Sequence, residues 1–275
     1  MAKIDKTKYT KKEWLELREK RRREKLQKKT QQLVNLTNEE NNTNFILCLK
    51  HGRKYSSEYV NKLYRGVSRH CTLPFKFYCL TDDSLGLDSN IHTIPLPDYL
   101  KGWWCKPYMF SNDLPIKGNI LYLDLDVVIA GNIDKLFTYQ PDNWCTVRDF
   151  TRAMRPKWHK YNSSIVRFKT GQLGFIWEEY KQNYENIQRK FFGDQDFLWD
   201  VTKNYQAMLY PDSWIQSWKW EVRQDKEWAP GGVKGTRTFK KIENVEPRIE
   251  CCVAVFHGDP NPEHCKDPWV VDNWI

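Results

Sequence analysis

The sequence predicts an α/β protein whose central sheet is mostly parallel and flanked by helices, as in Rossmann-like folds. From Phe45 onward, short apolar runs bounded by turn residues alternate with longer stretches of helical character, which is the pattern of βαβ units. The 275 residues are enough for one large domain or two small ones, with a sizeable core.

The predicted elements follow one another in a regular order. The first strand, Phe45–Leu49, leads into a helix at Ser56–His70. Further strands are predicted at Phe75–Leu80, Ile91–Ile94, Asn119–Ile129, Trp144–Val147, Ser164–Phe168 and Cys251–Phe256, and further helices at Trp103–Ser111 and Gly174–Phe191. Because ligands of open α/β sheets gather at the carboxyl ends of strands, Lys50–Tyr55, Asp82 and the acids of Asn119–Ile129 are expected to be neighbours.

Residues 1–40 are predicted to form a basic helical extension and linker, followed by the main domain at 41–275. Residues 1–35 hold 13 Lys and Arg against five Asp and Glu, which accounts for +8 of the net charge of +9. The stretch Thr10–Leu36 lacks Gly and Pro and is rich in helix formers. Such a charge run is typical of a solvated helix, although weak contact with nucleic acid or an anionic lipid surface stays open. The function of the nearly neutral main domain must therefore be sought in local sites.

The composition argues against a membrane-spanning protein. The mean hydropathy is −0.76, and no apolar run approaches the ~20 residues that a helix needs to cross a bilayer. The basic N-terminus also lacks the apolar stretch of a secretory signal peptide. A cytoplasmic location is therefore expected.

Asp124 and Asp126 carry the most information about function. Ionised carboxylates set within an apolar run are costly to bury unless a cation or hydrogen-bond donors accompany them. In an extended strand, side chains two residues apart point to the same side, and paired oxygen ligands favour Mg²⁺ or Mn²⁺. A strand end whose acids cap a turn or pair with lysines would show the same spacing. The spacing alone therefore does not decide between a metal site and a structural strand end.

The segment YLDLDVVIAGNIDKLF resembles the DxD segment of retaining nucleotide-sugar glycosyltransferases of the glycogenin and bacterial galactosyltransferase type, which have a GT-A fold. The resemblance runs from about Phe45 to Trp269. Further motifs that resemble the family in order and type are Trp104-Cys105-Lys106-Pro107, Val147-Arg148-Asp149, Tyr161-Asn162-Ser163-Ser164, Gly193-Asp194-Gln195-Asp196 and His257-Gly258 with Lys266. Two departures are Asp267, inserted before Pro268, and Ser164, which replaces a usual glycine.

The resemblance implies transfer of a sugar from a nucleoside-diphosphate sugar, expected to be a UDP-sugar, with retention. It implies Mn²⁺, or Mg²⁺, held by Asp124, Asp126 and His257, and a catalytic role for Gln195 or Asp196. The residues expected to bind the donor are Tyr55, Asp82, Lys106, Asp149, Asn162, Ser163, Asp194, Gly258 and Lys266. The acceptor stays unknown and could be a glycan, a lipid, a protein or another molecule.

Two other functions remain as alternatives. A nucleotidyltransferase would need a phosphate-cradling loop after the first strand, of which His51-Gly52-Arg53-Lys54 is only a faint version. A non-enzymatic protein that binds nucleic acid or an anionic surface through the basic helix would show steeply salt-dependent binding. Structural roles are also open for three motif positions: His257 as a core histidine, and Asp194 and Asp196 as caps of a helix near Phe197.

Overall fold

The structure is a computed structural model that describes residues 43–223 and 246–275. Its strands are β1 (Asn44–Lys50), β2 (Phe75–Thr81), β3 (Ile91–Pro95), β4 (Asn119–Leu123), β5 (Val127–Ile129), β6 (Cys145–Arg148), β7 (Tyr161–Lys169), β8 (Met208–Leu209), β9 (Ile215–Ser217) and β10 (Val253–Val255). Its α-helices are α1 (Ser57–His70), α2 (Asp134–Thr138), α3 (Gly174–Lys190), α4 (Asp194–Thr202) and α5 (Pro268–Asn273). A 3₁₀ helix spans Gly102–Phe110, and a π-helical turn spans Trp218–Val222.

The predicted α/β fold with a mostly parallel sheet is confirmed. The main sheet of the described residues has the strand order β3-β2-β1-β4-β7-β6-β8. Strands β3, β2, β1 and β4 are mutually parallel, whereas β7 runs antiparallel to both β4 and β6. A second, smaller sheet has the order β5-β10-β9.

The main sheet is covered on both faces, which explains the uninterrupted apolar runs of its strands. In β1, Ile46 and Cys48 belong to one hydrophobic cluster, while Phe45 and Leu47 belong to another. The alternation follows from the period of two in a strand, which sends neighbouring side chains to opposite faces. Helix α1 packs on the first cluster and α3 on the second.

One predicted element is wrong: the strand at Asn119–Ile129 is two strands. β4 ends at Leu123 and pairs with β1 and β7 in the main sheet, whereas β5 begins at Val127 and pairs with β10 in the small sheet. Leu125 lies between the two strands and is buried, so the apolar pattern of the sequence continues across the break and does not reveal it. Asp124 and Asp126 therefore flank a junction between two sheets and are not consecutive side chains of one strand face.

The other predicted boundaries differ from the structure in small ways. The predicted helix at Trp103–Ser111 is the 3₁₀ helix Gly102–Phe110, which contains Pro107, a residue that cannot donate a backbone hydrogen bond. Helix α4 begins at Asp194, ahead of the predicted start near Phe197, so Asp194 and Asp196 lie in its first turn. The predicted basic helix at Thr10–Leu36 lies outside the described residues. Among the helices that are described, none has the length and apolar character to span a membrane.

Candidate active site

Lys106 is the cation around which acidic and hydroxyl groups gather. Its ammonium lies 2.9 Å from Asp124 Oδ1, 3.2 Å from Asp194 Oδ2 and 3.2 Å from Ser163 Oγ. The residue is only 9% exposed. Burial disfavours the ammonium, but attraction to Asp124 and Asp194 outweighs it and raises the pKa of Lys106. Lys106 thus stays charged and offsets the charge of two carboxylates.

Four separate segments of the chain build this cluster. Lys106 lies in the 3₁₀ helix, Asp124 directly follows β4, Ser163 lies in β7, and Asp194 is the first residue of α4. The antiparallel pairing of β4 with β7 brings two of them together, since the amide of Asp124 donates to the carbonyl of Ser164 at 2.8 Å. Ser163 Oγ also donates to Asp194 Oδ2 at 2.7 Å. The sheet register therefore positions the cluster.

Gln195 extends this network towards the end of β6. Its carboxamide nitrogen donates to Asp149 Oδ2 at 2.8 Å, and its carboxamide oxygen accepts from Asn162 Nδ2 at 3.0 Å. The amide of Ser163 is a further donor to the same oxygen, at 3.4 Å. These contacts hold the side chain in one orientation between the end of β6 and the start of β7.

Two tyrosines hydrogen-bond the two carboxylates at the sheet junction. Tyr122 donates to Asp124 Oδ1 at 2.7 Å, and Tyr55 donates to Asp126 Oδ2 at 3.1 Å. Burial and the nearby charge of Asp124 raise the pKa of Asp126 to about 6, although Lys106 and Tyr55 oppose the rise. Repulsion by Asp124 thus adds to the effect of burial on the pKa of Asp126.

The donor set at this junction suits a divalent cation only in part. Two carboxylates that repel each other are hard oxygen ligands whose charge a bound Mg²⁺ or Mn²⁺ would offset. Within residues 43–223 and 246–275, however, no three His, Cys, Asp or Glu side chains are grouped to hold a metal ion. Asp124 and Asp126 would therefore supply two ligands to the metal ion. Substrate oxygens and water would complete the ligand set, as is common for Mg²⁺ bound with phosphates.

His257, the predicted third metal ligand, is turned towards a serine. Its Nε2 lies 2.6 Å from Ser217 Oγ, and its ring stacks on Phe150 with centroids 5.4 Å apart. Trp220 meets the same ring edge-on at 4.4 Å. The structure does not bring its imidazole into a ligand group with Asp124 and Asp126. The metal role of His257 stays a prediction.

Several predicted residues lie outside the Lys106 network. Asp82 accepts from the Gly52 amide at 3.1 Å with both oxygens, so the loop after β1 closes on a carboxylate. The Gly52 amide in the faint phosphate loop is therefore already paired with a carboxylate. Asp196 is 3.6 Å from Lys160, while Gly258 and Lys266 are exposed. The predicted residues that the structure joins by direct contacts around Lys106 and Gln195 are Lys106, Asp124, Asp149, Asn162, Ser163, Asp194 and Gln195.

Comparison with solved structures finds glycosyltransferases. The galactosyltransferase LgtC, solved with donor and acceptor sugar analogues, superimposes with a TM-score of 0.54 at 14% identity over 81% of this chain and 90% of that chain. GlyE of Streptococcus pneumoniae TIGR4 gives 0.57 at 14% identity over 82% of this chain and 57% of that chain. The protein has a GT-A-type glycosyltransferase fold. The apo structure of the bifunctional glycosyltransferase WbbM gives a TM-score of 0.54 at 9% identity, over 85% of this chain and 51% of that chain. No family model and no curated protein sequence matches the chain.

The GT-A sheet places the network where the parallel strands end. β4 stops at Leu123, directly before Asp124, and β1 and β2 end side by side at Lys50 and Thr81. Tyr122 and Ser217 were not among the predicted site residues. Tyr122 precedes Asp124 by two residues on a strand, so the period of two is a signal that could have found it. Ser217 has no such local signal, because its contact with the His257 ring depends on the pairing of β9 with β10.

Proposed function

We propose that the protein is a metal-dependent glycosyltransferase that moves a sugar from a nucleoside-diphosphate sugar to an acceptor with retention. A UDP-sugar is the first donor to test, and the acceptor is a glycan, a lipid, a protein or another molecule. The observation that carries the proposal is the partly buried network of Lys106, Asp124, Asp194 and Gln195 at the strand ends of a GT-A-type sheet. Such a site holds the charged and hydrogen-bonding groups that sugar transfer from a diphosphate needs.

The reaction breaks the bond between the anomeric carbon and the diphosphate, so negative charge grows on the departing nucleotide. A divalent cation held by Asp124 and Asp126 would act as a Lewis acid on that group. The chain's own contribution is to hold those carboxylates in place. Lys106 does so for Asp124 by ion pairing, and Tyr55 does so for Asp126 by hydrogen bonding. Charged groups fixed in this way need little rearrangement during the reaction.

The carboxylate and amide groups on the other side of Lys106 suit sugar hydroxyls. Asp149, Asn162 and Asp194 combine hydrogen-bond acceptors with a donor, which is what a ring with several hydroxyls requires. Gln195 lies between Asp149 and Asn162 and is held by both. We assign Gln195 to the reacting face of the sugar and Asp196, which pairs with Lys160, to support of the first turn of α4. Fixed orientation of a sugar ring supports transfer with one stereochemical outcome.

The proposal is tested by incubating the protein with a panel of nucleotide sugars and Mn²⁺ and measuring free nucleotide. Gln195→Ala is expected to lower turnover by roughly 100-fold or more, because it removes a group that orients the reacting ring. Asp196→Ala should lose less, and Asp200→Ala, a partly exposed position on the same helix α4, serves as the matched control. No release of nucleotide from any donor, with or without metal, would contradict the proposal.

A further inference from the structure

The loop between β6 and β7, residues 149–160, borders the part of the candidate site that is assigned to the donor sugar. Its first residue, Asp149, accepts from Gln195 at 2.8 Å. The amide of Asp149 also donates to the carbonyl of Lys160 at 2.9 Å, so the two ends of the loop meet. The ring of His159 lies 5.4 Å from that of Trp199 on α4, measured between ring centroids. The loop is therefore anchored at the edge of the Gln195 network and packs on α4.

Beyond Asp149, this loop carries positive charge and no acidic residue. Residues 150–160 hold Arg152, Arg155, Lys157, His159 and Lys160 but neither Asp nor Glu. Arg152 and Lys160 already have carboxylate partners on other elements. Arg155 and Lys157 are exposed, and neither forms an ion pair within the part of the chain that the structure describes. The loop thus presents two positive charges that no described carboxylate pairs with.

Trp158 adds a hydrogen-bond donor to this charge. Its indole nitrogen is buried and has no hydrogen-bond partner within residues 43–223 and 246–275. The Arg155 guanidinium lies 5.7 Å from the centre of the Trp158 ring and the Lys160 ammonium 5.8 Å from it, both within the range of a cation–π contact. A buried donor without a partner is costly, so it calls for an explanation. Indole, guanidinium and ammonium groups donate hydrogen bonds and accept none, so the cluster suits a ligand that only accepts.

Backbone hydrogen bonds fix this cluster in place. The amide of Arg155 donates to the carbonyl of Thr151 at 2.8 Å, and the amide of Trp158 donates to the carbonyl of Arg155 at 2.8 Å. Arg148, the last residue of β6, donates to the carbonyl of Pro156 at 2.8 Å. The turn that carries Arg155 and Trp158 is therefore closed on itself and tied to the main sheet.

We infer that Trp158, Arg155 and Lys160 form an anion site, and that its ligand is a phosphate group carried by the acceptor. The inference rests on the proposed function. An ionised phosphate offers several oxygen acceptors, and the guanidinium fork of an arginine matches its geometry. Asp196 offsets part of the charge of Lys160, so Arg155 contributes the larger share of the attraction.

The position of the loop indicates which substrate carries the phosphate. The loop begins at Asp149, on the donor-sugar side of the network, whereas the proposed metal ion and the donor diphosphate are assigned to Asp124 and Asp126. An anion bound at the loop therefore belongs to the second substrate. The acceptor class that follows is a sugar or a lipid that bears a phosphate.

Nuclear magnetic resonance of the indole N–H groups tests the site. In protein labelled with nitrogen-15 tryptophan and kept free of divalent metal, the Trp158 signal is the one missing from Trp158→Phe. Glucose 6-phosphate should shift this signal, and glucose at the same concentration should leave it in place. Trp274 is the matched control: its indole nitrogen is also buried without a partner in the described chain, but its neighbour Lys62 already donates to the Trp274 carbonyl at 3.2 Å. The Trp274 signal should not move.

The phosphorus signal of glucose 6-phosphate measures the affinity. Arg155→Gln and Trp158→Phe should each weaken binding by roughly 3- to 10-fold, because each removes a hydrogen bond to a charged group. Lys157→Gln removes the same charge from an exposed position of the same loop and should lose less. Vesicles of phosphatidylglycerol, compared with vesicles of phosphatidylcholine in a sedimentation assay, give the corresponding measurement for a phosphate on a lipid.

The outcomes separate the two sources of phosphate and the two proposals. Binding of glucose 6-phosphate that Arg155→Gln weakens supports a sugar phosphate, and binding to phosphatidylglycerol vesicles alone that Arg155→Gln weakens supports a lipid phosphate. Binding of neither probe, or an affinity that Arg155→Gln leaves unchanged, overturns the site. Arg155 is exposed, so this variant decides the matter even if Trp158→Phe does not fold. Nucleotide release without binding of either probe refutes only the anion site, whereas binding without nucleotide release from any donor refutes the proposed function.

Discussion

Replacing Lys106 by Met should destabilise the fold strongly. Methionine keeps most of the side-chain volume, so the change removes a charge without opening a large cavity. The ammonium pairs with Asp124 at 2.9 Å and with Asp194 at 3.2 Å, and all three side chains are largely buried. Removing one partner from such a buried group leaves charge without compensation and costs about 3 to 5 kcal/mol. Lys106→Met should lower the free energy of unfolding by about that amount.

Urea unfolding followed by tryptophan fluorescence measures the effect. Lys190→Met is the matched control, since Lys190 pairs with Asp200 at 3.2 Å but its side chain is 67% exposed. An exposed pair of this kind contributes at most about 1 kcal/mol. The double variant Lys106→Met with Asp194→Asn should be less destabilised than the sum of the two single variants, because the second change removes one of the carboxylates left without a partner. A loss in Lys106→Met no larger than that in Lys190→Met, together with additive single variants, would refute a charge-compensating role for Lys106.

Three further results are expected. Asp126→Ala should abolish donor turnover while the far-UV circular dichroism is retained; turnover that survives both this change and a chelator would contradict the metal mechanism. Deleting residues 1–40 should leave donor hydrolysis within a few-fold of the intact chain, and a large loss from a folded protein would show that the segment completes the site. Burial works to raise the pKa of Asp134, but hydrogen bonds from Thr72 and Asn132 outweigh it and lower the pKa to about 2. The ionised Asp134 carboxylate therefore stabilises the folded state above pH ~4, and this stabilisation is lost as the pH falls towards 2. Because the carboxylate is partly exposed, Asp134→Asn should cost only about 1 kcal/mol at pH 7 and progressively less below pH 4 in urea unfolding, and a cost independent of pH would contradict the assignment.

Local sequence patterns were sufficient for most elements of the sheet. The predicted strands at Phe45–Leu49 and Phe75–Leu80 are β1 and β2, each one or two residues longer in the structure. The helix predicted at Ser56–His70 begins at Ser57. These elements were predictable because burial on one or both faces leaves a period in the sequence that neighbouring residues alone reveal.

The break between Asp124 and Asp126 was not predictable from the same patterns. The chain stays apolar through the break because Leu125 is buried like its strand neighbours. What separates β4 from β5 is the change of pairing partner, from β1 and β7 to β10. A pairing partner more than 100 residues away along the chain leaves no mark in the local sequence.

The residue types of the candidate site were visible in the sequence, while their partners were decided by the tertiary structure. The motifs around Lys106, Asp124 and Gln195 could be selected because charged and amide residues follow apolar runs at strand ends. Strand register and turns far apart in the chain decide these partners. They pair Lys106 with Asp194 and turn His257 towards Ser217. They also bury Lys219 beside Gly258 and leave Lys266 exposed. Composition and spacing record which chemistry a chain can offer, because each residue carries its own functional groups. Distances between those groups arise only when packing brings separate segments together.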